Sequence, residues 1–123
     1  MGVGWEGLVE FYEEYSHFPR EGTYWDAVRY HCKQMTVFVP QIQRHPKLST
    51  LHPIGGISVI ALRLFNMHTD RLAFVFVDVD DTVNIRICDS GTWLDETVET
   101  EWEEYSVNFE AALNTLESAL FSI

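Results

Sequence analysis

Three apolar segments in the middle of the chain follow one another at intervals too short to hold a helix, and this spacing restricts the fold most. The segments are 57–65, 72–79 and 83–87; the first two are apolar at most positions, and the third alternates apolar and polar residues. Such runs predict two strands covered on both faces and one strand with a face in solvent. The links Asn66–Asp70 and Asp80–Asp81 are too short for parallel crossovers, so we expect hairpins and an antiparallel meander.

Helices are predicted before and after this meander. Residues 5–15 place aromatic and apolar side chains at helical spacing, and residues 23–35 do the same, with their first residue, a threonine, as the expected cap. Thr100 and Glu103 match a capping box ahead of an apolar stripe, which predicts a third helix over 100–120.

The remaining segments carry weaker local signals. Thr36–Val39 is β-branched and aromatic, which predicts a short strand that Pro40 should end. Residues 40–56 contain prolines and glycines without clear periodicity and are expected to form a long loop, and 92–94 could open a last short strand. We therefore predict one α+β domain over 1–123, an antiparallel β-meander of about four strands packed with two N-terminal helices and one C-terminal helix.

The net charge of −11 comes entirely from the second half of the chain. Residues 1–63 carry equal numbers of acidic and basic side chains, whereas residues 64–123 carry thirteen acids against only Arg71 and Arg86. A surface of one sign repels phosphate and attracts cationic partners. We therefore expect no direct binding to nucleic acid or to a membrane, and we expect a basic protein as the partner.

Metal and cofactor sites have no support in the sequence. Cys32 and Cys88 are too few for a zinc site or a disulfide scaffold, and the five histidines show no metal-ligand spacing. We expect core thiols and no cofactor. The first residues lack a basic segment followed by an apolar one, so we expect an unprocessed cytoplasmic protein.

One short segment resembles a known catalytic motif. Residues 74–83 read Phe-Val-Phe-Val-Asp-Val-Asp-Asp-Thr-Val, which is similar to the first motif of the haloacid dehalogenase superfamily. The resemblance implies that Asp78 is a nucleophile and Asp80 an acid/base beside magnesium. The resemblance covers about ten residues. The rest of the chain departs from the family pattern, since the flanking strands are predicted to be antiparallel and no lysine follows the motif. The other interpretation is a hairpin with its turn at Asp80–Asp81.

We predict a non-catalytic protein-binding domain, of the type of an acidic inhibitor or immunity protein that docks a basic protein partner such as a toxin or nuclease. In general character the chain resembles bacterial immunity proteins of toxin–immunity pairs, since it is small, acidic, rich in aromatic residues and without a complete catalytic motif. The alternatives are a small metal-dependent phosphate hydrolase using Asp78, Asp80 and Asp81, or an acidic secretion-type chaperone. A homodimer is compatible with the same features.

The predicted interface lies in the acidic stretch between the third apolar segment and the last helix. Trp93 is the expected apolar anchor, and Trp102 lies among glutamates, as interface tryptophans do. The predicted interface residues are Asp80, Asp81, Trp93, Asp95, Glu96, Glu99, Glu101, Trp102 and Glu104.

Overall fold

The protein contains three helices and one antiparallel sheet, seen in a computed structural model that describes residues 5–53, 61–89 and 101–121. The helices are α1 (Trp5–Tyr15), α2 (Thr23–Arg44) and α3 (Phe109–Phe121), with a 3₁₀ helix at Leu48–Thr50. The strands are β1 (His52–Pro53), β2 (Leu62–Asn66), β3 (Arg71–Val77), β4 (Val83–Asp89) and β5 (Glu103–Val107). Their order in the sheet is β1-β2-β3-β4-β5. The predicted α+β class, meander and three helices are confirmed, with five strands where about four were expected.

The hydrophobic core lies between one face of the sheet and the helices. In register, Leu62 of β2 faces Val75 of β3, which faces Ile85 of β4, and all three side chains are buried. This row belongs to the same cluster as Met35 of α2 and Leu116 of α3. Alternation along the strands therefore gives the sheet an inner face covered by helices and an outer face without them among the described residues.

The helix α2 is much longer than predicted, and the strand expected at Thr36–Val39 is wrong. Residues Met35, Phe38 and Ile42 are fully buried at helical spacing, so the apolar stripe continues past Pro40. A proline inside a helix costs about 3 kcal/mol and removes one hydrogen bond, but burial of this stripe outweighs that cost. The long loop expected over 40–56 is also wrong for residues 40–53, which contain the end of α2, the 3₁₀ helix and β1.

The N-terminal caps of α2 and α3 differ from those predicted. The helix α2 begins at Thr23 as expected, but its N-cap is Gly22, whose φ of 123° is a conformation that suits glycine. Glu103 lies in β5 rather than in a capping box, and Thr100 lies outside the described residues. Asn108 caps α3, because its Oδ1 accepts a hydrogen bond from the Ala111 N–H at 2.8 Å.

The other structural predictions agree with the structure where they can be compared. The first helix and the three meander strands are confirmed within the described residues, whereas 57–60 and 92–94 lie outside them. Cys32 and Cys88 are buried thiols. In the part of the chain that the structure describes, no helix combines the length and the apolar character needed to cross a membrane.

Hydrogen bonds from the buried Asn66 side chain and from Thr69 hold the C-terminal end of α3 against the sheet. The Asn66 side chain donates to the Leu120 carbonyl at 2.8 Å and accepts from the His68 N–H at 2.9 Å. Thr69 donates its hydroxyl to the same Leu120 carbonyl at 2.8 Å. The last carbonyls of a helix have no partner within the helix, so these two donors satisfy one of them.

The turn between β2 and β3 gives a first testable prediction. Asp70 is exposed, and its φ of 58° is a left-handed conformation that costs a side-chain-bearing residue about 1 kcal/mol. We expect Asp70→Gly to raise the free energy of unfolding by about 0.5–1 kcal/mol, measured by urea denaturation. Asp70→Ala removes the carboxylate but keeps the strain, and it should be no more stable than the wild type. Equal stabilisation by both changes would assign the effect to charge instead.

Candidate functional site

The Asp78–Thr82 segment forms a tight hairpin turn between β3 and β4. The Asp78 N–H donates to the Thr82 carbonyl at 2.9 Å, and the Asp81 N–H donates to the Asp78 carbonyl at 3.0 Å. Asp81 has a φ of 68°, the left-handed conformation that closes three-residue hairpin loops. The hairpin with its turn at Asp80–Asp81 is therefore confirmed.

The carboxylates of this turn bind groups of the protein itself. Asp78 accepts from the Val79 N–H at 2.7 Å, and Asp80 accepts from the Thr82 N–H at 2.9 Å, a bond that lowers the pKa of Asp80. Asp81 accepts a hydrogen bond from the Tyr30 hydroxyl of α2, and this bond raises the pKa of Tyr30. Each carboxylate thus has a role in holding the turn.

This geometry does not resemble a magnesium-dependent phosphatase. The haloacid dehalogenase motif follows a strand of a parallel sheet, whereas β3 is antiparallel to both of its neighbours. Among residues 5–53, 61–89 and 101–121, no three His, Cys, Asp or Glu side chains are arranged to hold a metal ion. The hydrolase alternative thus gains no support from the arrangement of Asp78, Asp80 and Asp81.

A second group of side chains crosses the outer face of the sheet. Phe74 of β3, Arg86 of β4 and Glu104 of β5 stand opposite one another in register. The Arg86 Nε lies 2.7 Å from Glu104, and its guanidinium lies 5.7 Å from the centre of the Trp102 ring. The Trp102 and Phe74 rings meet edge to face at 5.4 Å. With Ser106 and their neighbours, these residues line a cavity of about 560 Å³.

Exposed carboxylates extend along β5 from one end to the other. Asp80, Asp81 and Glu110 line a cavity of about 710 Å³ at the end of the strand, together with Gln34 of α2. Glu101 precedes the strand, and Glu103 and Glu104 begin it. We define the acidic rim as Asp80, Asp81, Glu101, Glu103, Glu104 and Glu110.

Only part of the acidic rim is neutralised by arginine. Glu103 pairs with Arg71 of β3, and Glu104 pairs with Arg86 of β4. The other four rim carboxylates have no lysine or arginine partner in the described part of the chain. The rim therefore keeps a net negative charge, and Glu104 contributes less to it than its sequence position implies.

The structure brings five of the predicted interface residues to this side of the sheet. Asp80, Asp81, Glu101 and Glu104 are exposed, and Trp102 is half-buried against the outer face. The remaining four lie outside the described residues: Trp93, Asp95, Glu96 and Glu99.

Sequence reasoning missed the partners of the predicted residues. Tyr30 holds Asp81, and Arg86 pairs with Glu104, yet neither was singled out. The alternation over 83–87 does indicate that Arg86 faces solvent, but it cannot indicate the residue opposite. The sequence does not point to Ser106, because the helix predicted over 100–120 includes residues 103–107, which form β5 in the structure.

His31 is a buried residue with a structural role. Its Nδ1 accepts a hydrogen bond from the Val77 N–H at 3.0 Å, and its ring stacks on Phe76 with the centroids 4.9 Å apart. Burial lowers the pKa of His31 to about 4. Its Nε2 has no hydrogen-bond partner among the described residues. His31 thus supplies a hydrogen-bond acceptor for the backbone of β3 at Val77. The described part of β2 pairs with β3 only as far as Val75.

Comparison of the chain with protein-family models, with curated proteins and with solved structures gave no match. The charge and geometry of the β5 side of the sheet are the features of this chain that bear on its function.

Proposed function

We propose that this protein is a non-catalytic binding domain that docks a basic protein partner, in the manner of an acidic inhibitor or immunity protein. The observation that carries the proposal is the acidic rim, in which four of six carboxylates lack a lysine or arginine partner among the described residues. Unneutralised charge on one side of a small domain steers a partner of opposite charge and orients it on arrival.

The outer face next to the rim supplies the apolar part of such an interface. Trp102 is half-buried, touches Phe74, and stands between Glu101 and the Arg86–Glu104 pair. Binding energy at interfaces is concentrated in such aromatic residues and is accompanied by a polar rim. The arrangement thus combines a steering charge with an apolar contact within a short distance along β5.

The rim charge can be tested with isosteric amides. We expect a triple variant, Asp80→Asn, Asp81→Asn and Glu101→Gln, to bind the basic partner about tenfold more weakly or worse at low salt, because three unpaired charges are lost. Asparagine keeps the acceptors used by Thr82 and Tyr30 and tolerates the left-handed backbone at Asp81, so the turn should persist. The measurement is capture of the partner from the source organism, followed by titration with the purified pair.

A matched control is available on α1. The triple variant Glu10→Gln, Glu13→Gln and Glu14→Gln removes the same charge from exposed positions outside the rim. We expect it to bind within about twofold of the wild type at about 0.1 M salt, where exposed charges outside the interface are largely screened, and to bind more tightly than the rim variant at low salt. Equal weakening by both triple variants would show a general charge effect, and undiminished binding by the rim variant would refute the proposal.

A further inference from the structure

Among the described residues, β5 is an edge strand of the sheet. Within the described residues it pairs with β4 alone, and the sheet order ends with it. An edge strand presents a row of backbone donors and acceptors that another extended chain can bind.

The hydrogen-bond pattern identifies which backbone groups point outward. The bond from the Asp78 N–H to the Thr82 carbonyl makes these two residues a hydrogen-bonded pair, so bonded pairs between β3 and β4 fall at alternate positions from there. Residues 83, 85 and 87 consequently direct their N–H and C=O groups toward β5. Their partners there are 107, 105 and 103. It follows that Glu104 and Ser106 direct their N–H and C=O groups away from β4.

These outward groups are unoccupied by the rest of the described chain. No described residue donates to or accepts from the backbone of Glu104 or Ser106 on that side. A cavity of about 380 Å³ lies beside the strand on the inner face, bounded by Tyr105, by the Arg71–Glu103 pair and by residues of α3 that include Ala111, Thr115 and Ser118. The small side chains of α3 leave room there for the side chains of an added strand.

We propose that the open edge of β5 binds an extended basic segment of the partner as an additional antiparallel or parallel strand. This proposal rests on the proposed function and specifies how the partner docks. Backbone hydrogen bonds to Glu104 and Ser106 give the affinity, and the acidic rim selects lysine or arginine side chains on the added strand. Strand addition of this kind needs no complementary fold in the partner, only an extended segment.

The same charges argue against a second copy of this chain as the occupant. Two β5 strands paired edge to edge would bring the acidic rims of both copies together, each with Asp80, Asp81, Glu101 and Glu110 unpaired by lysine or arginine among the described residues. Like charges on neighbouring strands destabilise the pairing, and charged edges are a known protection against self-association. A basic strand would instead be attracted by the unpaired carboxylates of the rim.

Peptides test the inference directly. The probe is a nonapeptide of alternating lysine and threonine, and the control is a nonapeptide of alternating glutamate and threonine. We expect the lysine peptide to bind at low salt and the glutamate peptide to bind at least about tenfold more weakly. A lysine peptide N-methylated at every residue keeps its charge but has no backbone donors, and it should also lose about tenfold or more.

A pair of variants at Ser106 tests the same contact from the side of the protein. Ser106→Pro removes an N–H that the β4–β5 ladder does not use, and proline is tolerated at such edge positions. Ser106→Ala keeps this N–H and removes the hydroxyl, which bonds Asn84 at 3.0 Å. We expect the proline variant to bind the lysine peptide about tenfold more weakly than the alanine variant, because both lack the hydroxyl and only the proline variant lacks the N–H.

The outcomes separate strand addition from simple charge attraction. Equal, salt-sensitive binding of the native and N-methylated lysine peptides would overturn strand addition while supporting the acidic rim as an electrostatic surface. No binding of the lysine peptide would overturn strand addition, and the partner titration with the rim variant would still decide the proposed function. If Ser106→Pro does not fold, judged by its circular dichroism, the N-methylated peptide alone decides.

Discussion

Lowering the pH from 7 to 4 should cost this protein about 3 kcal/mol of folding free energy through His31 alone. Burial lowers the pKa of His31 from 6.5 to about 4, so below pH 6.5 the unfolded chain takes up a proton that the folded chain excludes. The stability contributed by neutral His31 is present above pH 6.5 and is lost progressively as the pH falls toward 4. Each unit of pKa shift corresponds to about 1.4 kcal/mol.

The measurement is urea denaturation of the wild type and of His31→Asn at several pH values between 7 and 4. The asparagine Oδ1 can occupy the place of Nδ1 and accept from the Val77 N–H, but it does not titrate. The variant is less stable at pH 7 because it packs less well, and its stability should fall less steeply on acidification. Parallel pH profiles for the two proteins would contradict the assignment.

Neighbouring groups do not share this titration. Tyr12 meets the His31 ring edge to face, and burial raises the pKa of Tyr12. Burial also raises the pKa of Cys32 to about 12. Both groups stay neutral throughout the acidic range, so they do not contribute to the difference between the wild type and His31→Asn.

Asn66→Asp is expected to destabilise the fold by about 3 kcal/mol or more at pH 7. The substitution is nearly isosteric, but it replaces the amide donor with a buried carboxylate that faces the Leu120 carbonyl. This carbonyl lies at the C-terminal end of α3, where the helix dipole also disfavours negative charge. Urea denaturation monitored by circular dichroism measures the loss.

The pH dependence of this loss separates charge from packing. Burial and the carbonyl raise the pKa of the new carboxyl above its unfolded value, so its protonated form is stable in the folded state and its ionised form is not. The deficit relative to the wild type at the same pH should therefore be largest at neutral pH and should shrink on acidification. Asn66→Ala, which removes both hydrogen bonds without adding charge, should show a deficit that does not change with pH. Equal stability of Asn66→Asp and the wild type at pH 7 would contradict the prediction.

The meander could be predicted because its signals are local. The turn at Asp80–Asp81 and the alternation over 83–87 lie within a few residues of the strands that they define. Because the connections between β2 and β3 and between β3 and β4 are both short, these strands must pair antiparallel, and no information from the rest of the chain is needed to predict this.

The end of α2 could not be predicted in the same way. Thr36–Val39 has β propensity, and Pro40 disfavours a helix, so every local preference opposed the observed structure. The helical spacing of Met35, Phe38 and Ile42 was visible in the sequence, but its weight depends on the core that these side chains enter. Local propensity is overruled where tertiary burial is large.

The segment before α3 was ambiguous rather than misleading. Trp102, Tyr105 and Phe109 fit helical spacing, while Tyr105, Val107 and Phe109 also fit the alternation of a strand. The choice depends on β4, which offers a ladder to residues 103–107. The acidic character of this region was predictable from composition, but the pairing of Glu103 with Arg71 and of Glu104 with Arg86 depends on the strand register.

The sequential order of the sheet has a consequence for how the protein folds during synthesis. Each strand after β1 pairs with the strand made just before it, so the hairpins of β2, β3 and β4 can close over short stretches of chain as it leaves the ribosome. The hydrogen bond between the Asn66 side chain and the Leu120 carbonyl joins residues 54 positions apart, so it can form only after α3 has been synthesised. Docking of α3 is therefore expected to be a late step, and until it occurs the inner face beneath it stays open to chaperones and to other nascent chains.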